Sequence, residues 1–164
     1  MIAPPSKEYL DRLGAYEPRI TELAVAVRAI VVEEAPEAYE LLYDATNAVA
    51  VAFTFSGNPT QAFIHIAAYA GWVNLGFNKG SDLPDPGCIL RGEGRWIRHI
   101  RFSSIPDVER AHTRKFVRMA VQLAKRAASV AIAEAKAKKK AGAARLKRVT
   151  GGVRGNQATD SKPT

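Results

Sequence analysis

The stretch GWVNLGFNKGSDLPDPGCILRGEGRWIRHIRF, residues 71–102, decides the fold. It contains two short apolar segments, WVNLGF and WIRHIRF, which are separated by a segment rich in glycine and proline. Within each apolar segment, hydrophobic side chains recur at every second position, which is the period of a β-strand. We therefore predict two strands here, joined by an irregular connection that carries several fixed charges.

The same alternation extends towards the N-terminus. NAVAVAFTFSG at 47–57 and QAFIHIAAYAG at 61–71 predict two further strands, with a turn at GNPT. The links between the predicted strands are too short for crossover helices, which favours an antiparallel sheet.

Helical patterns flank the predicted strands. SKEYLDRLG, residues 6–14, has a capping Ser6 and a terminating Gly14, and a second apolar stripe runs from Pro18 towards Pro36. A third helix is predicted from SSIPDVERA, where Ser104 and Asp107 have capping-box spacing, and its apolar stripe fades after about residue 132. The prediction is an α+β two-layer sandwich over residues 6–132, in which helices, including a long C-terminal one, back a largely antiparallel sheet.

The charge is divided unevenly along the chain. Residues 1–124 contain 13 Lys and Arg against 14 Asp and Glu, whereas residues 125–164 contain 11 against 2. Residues 133–164 therefore form a basic Ala/Lys-rich extension, predicted to be partly helical and then disordered over 149–164. Its cations would bind nucleic-acid phosphates without sequence preference, or the extension merely solubilises the chain. They are Lys136, Lys138, Lys139, Lys140, Arg145, Lys147 and Arg148.

Composition also constrains the location. Cys88 is the one cysteine, so an intrachain disulfide is excluded, and a reducing compartment is predicted. The N-terminus has no signal-peptide pattern, and no apolar stretch approaches the roughly 20 residues that span a bilayer. We predict a cytoplasmic protein with no membrane partner.

Alternation predicts which side chains share a face. Val73, Leu75 and Phe77 point to one side of their strand, and Asn74 and Gly76 point to the other. On the last strand, the set predicted to face the helices is Trp96, Arg98, Ile100 and Phe102. His99 and Arg101 then share the uncovered face with Asn74. Arg98 requires a carboxylate or several carbonyls, with Asp44 and Asp85 as candidates.

Most of the chain resembles a known family. YDATNAVAVAF, the run from FIHIAAYAG through WIRHIRF, and SIPDVE resemble the YdhG-like family of domains of unknown function, from about Tyr9 to Ala124. The resemblance implies a two-layer α+β domain. Most members have no established activity, and one branch is described as frataxin-like iron chaperones. The family's recurrent polar positions, here the candidate ligand-binding set, are Asp44, Asn47, His65, Asn74, Arg98 and His99.

Each chemical signal has a plainer alternative. His65 and His99 with Asp44 would suit a metal ion such as iron, but no H-x-x-x-H spacing supports this, and hydrogen bonding to neighbours is the simpler explanation. Acidic residues near the end of the second helix are either a loose iron-binding ridge or a solvated helix end; they are Glu33, Glu34, Glu37, Glu40 and Asp44.

Other side chains leave similar choices. Four arginines either bind a phosphate or carboxylate ligand or satisfy carboxylates and carbonyls around the glycine-rich loop; they are Arg91, Arg95, Arg98 and Arg101. Trp72, Tyr69 and Phe63 line a pocket or pack against a second subunit, which makes a homodimer a candidate. Cys88 is interpreted as a small buried apolar residue.

No nucleophile–base pair, phosphate loop or paired carboxylate is evident, so an enzyme is disfavoured. We predict a non-catalytic module that holds a small ligand or a metal ion on the uncovered sheet face, with a frataxin-like iron chaperone as a special case. The alternative is a nucleic-acid-associated protein that acts through its basic tail.

Overall fold

The computed structural model describes residues 2–151, and their side chains as far as residue 144. It contains one five-stranded sheet in which each strand pairs antiparallel with the next strand along the chain. The strands are β1 (Tyr39–Ala45), β2 (Ala48–Thr54), β3 (Ile64–Ala68), β4 (Val73–Phe77) and β5 (Arg98–Phe102). The predicted antiparallel α+β sandwich is confirmed, and β1 is an additional strand.

Four α-helices accompany the sheet within the described residues: α1 (Lys7–Leu13), α2 (Pro18–Glu34), α3 (Ile105–Val108) and α4 (Ala111–Gly151). Ser6 caps α1 as predicted, because its hydroxyl accepts a hydrogen bond from the Tyr9 N–H at 3.2 Å. The helix predicted to start at Ser104 is interrupted, since α3 ends at Val108 before α4 begins. The Ser104 hydroxyl donates to the Asp107 carboxylate at 2.8 Å instead of capping the backbone.

The hydrophobic core lies between the helices and one face of the sheet. Alternate side chains of β2 to β5 meet the apolar stripes of α1, α2 and the start of α4, and burial of this apolar area drives the two layers together. The fully buried members include Tyr9, Ile20, Val27, Phe53, Ile66, Leu75, Phe77 and Phe102.

Strand β1 carries two acidic residues on its helix-facing side. Glu40 accepts three hydrogen bonds from Arg28, one from Nη2 at 2.7 Å and two from Nε at 2.9 and 3.0 Å, and the Arg28 side chain is only 5% exposed. Asp44, which is exposed, pairs with Arg12 of α1. The expectation that Asp44 neutralises Arg98 is therefore wrong.

The connection from β4 to β5 is organised by Asp85. Its carboxylate accepts hydrogen bonds from the N–H groups of Ile89 at 2.9 Å and Leu90 at 2.8 Å, so it does not neutralise Arg98 either. Within DPGCILRG the chain forms a β-turn, which the Cys88 N–H closes by donating to the Asp85 carbonyl. Cys88 is exposed, so the prediction that it is a buried apolar residue is wrong, and its backbone has a φ of 50°.

Arg98 lies on the helix-facing side of β5 and donates to the carbonyls of Gly94 and Ile97, so backbone oxygens satisfy it. Trp96 was predicted to face the helices, but it precedes β5 and is 50% exposed. The Arg95 guanidinium lies 4.6 Å from the centre of the Trp96 ring and gives this indole a polar neighbour.

Two compact units divide the chain, Met1–Arg126 and Ala127–Thr164. In the second unit, residues 129–144 are exposed helix without an apolar core face. The predicted domain boundary after residue 132 falls inside α4. Disorder was predicted for 149–164; residues 149–151 belong to α4, and the rest lie outside the described residues. Within the described part of the chain, none of the helices has an apolar run that would cross a bilayer.

Candidate functional site

The sheet face turned away from the core, here called the open face, gathers polar side chains on β3, β4 and β5. Its members are Tyr39, Leu41, Tyr43, Ala45, Ala48, Ala50, Ala52, Thr54, His65, Ala67, Asn74, Gly76, His99 and Arg101. Ala50 and Ala67 are buried at its centre, whereas Tyr39 and Tyr43 are 58% and 41% exposed at its margin.

Two histidines of the open face lie in one row with a glycine between them. His65 on β3 is opposite Gly76 on β4, which in turn is opposite His99 on β5. The imidazole of His65 covers the Gly76 backbone so closely that a Cβ at that position would lie 2.1 Å from its Cε1 and Nε2 atoms. The missing side chain of Gly76 therefore allows His65 to extend across β4 in the direction of His99.

Asn78 sets the tautomer of His65. The Nδ1 atom of His65 lies 2.7 Å from Oδ1 of Asn78, and a carbonyl oxygen only accepts, so Nδ1 carries the proton. Burial lowers the pKa of His65 below its ordinary value of 6.5, although the hydrogen bond to Asn78 partly opposes this. In the resulting neutral ring, Nε2 is an unprotonated acceptor over β4.

His99 is also held in its neutral form. Burial is the main cause that lowers its pKa, followed by the positive charges of Arg101 and Arg91. The backbones of Arg91 and His99 exchange two hydrogen bonds, of 2.8 and 2.9 Å, which brings Arg91 alongside β5. Both histidines thus offer uncharged ring nitrogens, whereas the fixed charges beside them are positive.

An aromatic stack borders this polar cluster. Tyr69 and Trp72 stack with ring centres 5.1 Å apart, and the Arg101 guanidinium lies 4.5 Å from the centre of the Trp72 ring. Asn74 sits opposite Arg101 in the β4–β5 ladder. The buried Oδ1 of Asn74 and Nε1 of Trp72 have no hydrogen-bond partner among the described residues. Buried polar groups in native proteins are nearly always paired, so this acceptor and this donor indicate where a ligand or an ordered water binds.

The structure brings together three of the six candidate ligand-binding residues. His65, Asn74 and His99 share the open face. Arg98 is on the helix-facing side, and Asn47 is exposed in the turn between β1 and β2.

Asp44 is also on the helix-facing side, at the far strand, so it does not join the two histidines in a metal site. Among the described residues there is no group of three or more His, Cys, Asp or Glu placed to hold a metal ion.

The acidic ridge proposed for loose iron binding is neutralised. Glu33 and Glu34 pair with Arg114, Glu34 also pairs with Arg118, and Glu37 pairs with Lys125. Arg28 and Arg12 occupy the remaining two carboxylates, those of Glu40 and Asp44. Each of the five carboxylates is thus engaged by a cation of the protein itself.

The sequence-based candidate set omitted Asn78, which orients His65, and did not assign Gly76 its role beneath the imidazole ring. Alternation alone does not reveal either role, since Asn78 follows the end of β4 and its contact depends on how β3 and β4 align.

Comparison with models of protein families, with curated proteins and with solved structures found no match. The resemblance to the YdhG-like family therefore stays a prediction.

Proposed function

We propose that the protein is a non-catalytic cytoplasmic binding module that holds a small, planar, negatively charged ligand on the open face, over β4 and β5. The observation that carries this proposal is the convergence of His65, Asn74 and His99 on one face, beside the stacked Tyr69 and Trp72 rings. Aromatic faces bind a planar group, and a few placed polar atoms fix its orientation, which is the usual composition of small-ligand sites.

The charges near the cluster favour an anion over a cation. Arg101 lies on the open face and Arg91 lies alongside its last strand, whereas none of the described members of the open face is a carboxylate. Iron bound loosely in a frataxin-like manner needs carboxylate oxygens, and the carboxylates proposed for it at the end of α2, those of Glu33, Glu34 and Glu37, are already paired with arginine or lysine. The neutral imidazoles add acceptors and donors without adding charge.

Nuclear magnetic resonance with 2-naphthoate, a planar aromatic anion, tests the proposal. In the full chain, 2-naphthoate is expected to shift the side-chain signals of Asn74, Trp72 and His65. Asn74→Ala should weaken binding, and Asn47→Ala is the matched control because Asn47 is exposed in a turn away from the cluster. If 2-naphthoate shifts none of these signals, or if the two variants behave alike, the proposal fails.

Calorimetry with Fe²⁺ under anaerobic conditions separates the metal hypothesis from the ligand hypothesis. The full chain is expected to show no binding in the micromolar range, because Arg91 and Arg101 repel a cation from the two histidines. Tight Fe²⁺ binding that His65→Ala abolishes would instead favour the iron chaperone.

The homodimer predicted from the aromatic residues stays a prediction.

The basic part of α4 supports a second candidate, association with nucleic acid. Lys136, Lys138, Lys139 and Lys140 are all exposed on the helix, whereas the side chains of Arg145, Lys147 and Arg148 lie outside those described. Phosphate contacts by such residues give salt-sensitive affinity without sequence preference. Deletion of residues 133–164 should abolish DNA retention in a gel-shift assay and leave the 2-naphthoate shifts unchanged. Equal retention by the deleted chain would exclude this candidate.

A further inference from the structure

A cavity of about 300 Å³ lies at the outer margin of β5, the last strand of the sheet. Three arginines line it together with Ser103, Asp107 and His112; they are Arg91, Arg101 and Arg110. Arg91 and Arg101 also border the polar cluster of the open face, so the cavity and the cluster are adjacent.

The cavity has an excess of positive charge. Asp107 is the one acidic residue of its lining and pairs with Arg110 at 2.9 Å. Among the described residues, the guanidinium groups of Arg91 and Arg101 have no hydrogen-bond or ion-pair partner, and that of Arg101 lies over the Trp72 ring. Two arginine charges are therefore not balanced by a carboxylate, and together they contribute a local charge of about +2.

Backbone groups reinforce this field. Successive residues of an antiparallel strand direct their N–H groups to opposite edges. The N–H of His99 points outward to Arg91, so the N–H of Arg101, two residues further, also points outward at the edge of β5. In addition, α4 begins at Ala111, next to Arg110 and His112, and the start of a long helix attracts negative charge.

We infer that this cavity binds a phosphoryl group. A phosphate dianion carries the charge that balances the two unpaired arginines, and guanidinium groups bind its oxygens in bidentate geometry. This inference rests on the proposed function, because it places the negatively charged group of the ligand at the β5 margin and its planar part over the aromatic stack. The ligand class is therefore a small aromatic or heterocyclic phosphate.

Titration of the full chain with inorganic phosphate, at constant ionic strength, tests the inference. Trp72 emission in a Trp96→Phe background is a suitable signal, because phosphate draws the Arg101 guanidinium away from the Trp72 ring. Arg91→Gln and Arg110→Gln should each weaken phosphate binding about tenfold or more, which corresponds to the loss of one charged hydrogen bond. Asp107→Asn should strengthen it, because it removes the opposing carboxylate.

Arg95→Gln is the matched control, since Arg95 lies in the same loop and covers Trp96 instead of lining the cavity. Thermal unfolding confirms that each variant is folded. Three results would each overturn the inference. Phosphate does not bind, acetate binds as tightly as phosphate, or Arg95→Gln weakens phosphate binding as much as Arg91→Gln does.

The titration with 2-naphthoate tests the proposed function and the titration with phosphate tests the phosphoryl site, so a negative result in one does not imply a negative result in the other. Naphthoate shifts without phosphate binding remove only the inference. Phosphate binding that needs Arg91 and Arg110, without naphthoate shifts at Asn74, supports the anion site and removes the planar part of the proposed function.

Discussion

The imidazole ring of His65 occupies the space in which a side chain of Gly76 would lie, with only 2.1 Å between its Nε2 atom and the position of a Cβ. The position and tautomer of the ring depend on this vacancy and on the hydrogen bond to Asn78. Gly76 on β4 and Asn78 just after β4 thus determine where the imidazole of His65 lies and which of its nitrogens carries the proton.

Gly76→Ala should displace the ring of His65. Two atoms cannot approach to 2.1 Å without bonding, so either the imidazole or the strand must move, and we expect a loss of about 1–3 kcal/mol in the free energy of unfolding. Chemical denaturation measures this loss. Gly94→Ala is the control, because a Cβ there meets nothing within 4 Å. Equal stability of the two variants would show that His65 does not lie over Gly76.

Stability should fall as the pH is lowered through the range in which histidine titrates. The pKa values of His65 and His99 lie below 6.5 in the folded state, so the unfolded chain binds protons first and the folded state loses free energy below about pH 6.5. Glu34 and Glu37, whose pKa values are lowered from 4.5, contribute losses only at more acidic pH.

Denaturation between pH 7.5 and 5 measures this slope, and His65→Gln should reduce it. An unchanged slope in that variant would mean that His65 is protonated alike in the folded and unfolded chains.

The ion pair between Arg28 and Glu40 should be sensitive to the loss of one partner. Glu40→Ala leaves a guanidinium that is 5% exposed without its carboxylate, which is expected to destabilise the fold by about 3–5 kcal/mol. The double variant Arg28→Met with Glu40→Leu should recover most of this loss, because it removes both charges together. Asp44→Ala, which removes an exposed partner of Arg12, is the control and should change the stability little. A Glu40→Ala protein as stable as the parent would contradict the buried pairing.

Asp85→Ala should loosen the connection between β4 and β5. The substitution frees the N–H groups of Ile89 and Leu90, and we expect a loss of about 1–2 kcal/mol, together with faster amide hydrogen exchange at those two positions. Asp82→Ala is the control, because that carboxylate accepts only a 3.5 Å contact from Ser81 among the described residues. Unchanged exchange at Ile89 in Asp85→Ala would show that the carboxylate does not hold the turn.

Alternation was sufficient to predict β2 to β5 and the shared face of Asn74, His99 and Arg101, because burial of one sheet face imposes a period of two. It failed for β1, where Glu40 and Asp44 occupy helix-facing positions and interrupt the apolar pattern. Glu40 is tolerated there because Arg28 of α2 pairs with it, and Asp44 is tolerated because its side chain is exposed to solvent.

The same limit applies to the candidate site. Asp44 belongs to the opposite side of the sheet from His65, a separation that follows from strand register and not from residue type, whereas alternation alone already placed Arg98 on the helix-facing side. Asn78 acts through a contact between the end of β4 and β3, and a single sequence carries no signal for such a contact.

The consecutive order of the five strands has a consequence for folding kinetics. Each strand finds its partner one turn or one loop away along the chain, so the entropy lost on closing each pair is small and the relative contact order is low for a β-rich domain. We expect the sheet to assemble hairpin by hairpin as the chain leaves the ribosome. The first two helices, although synthesised before the sheet, must wait for it before their apolar stripes are covered.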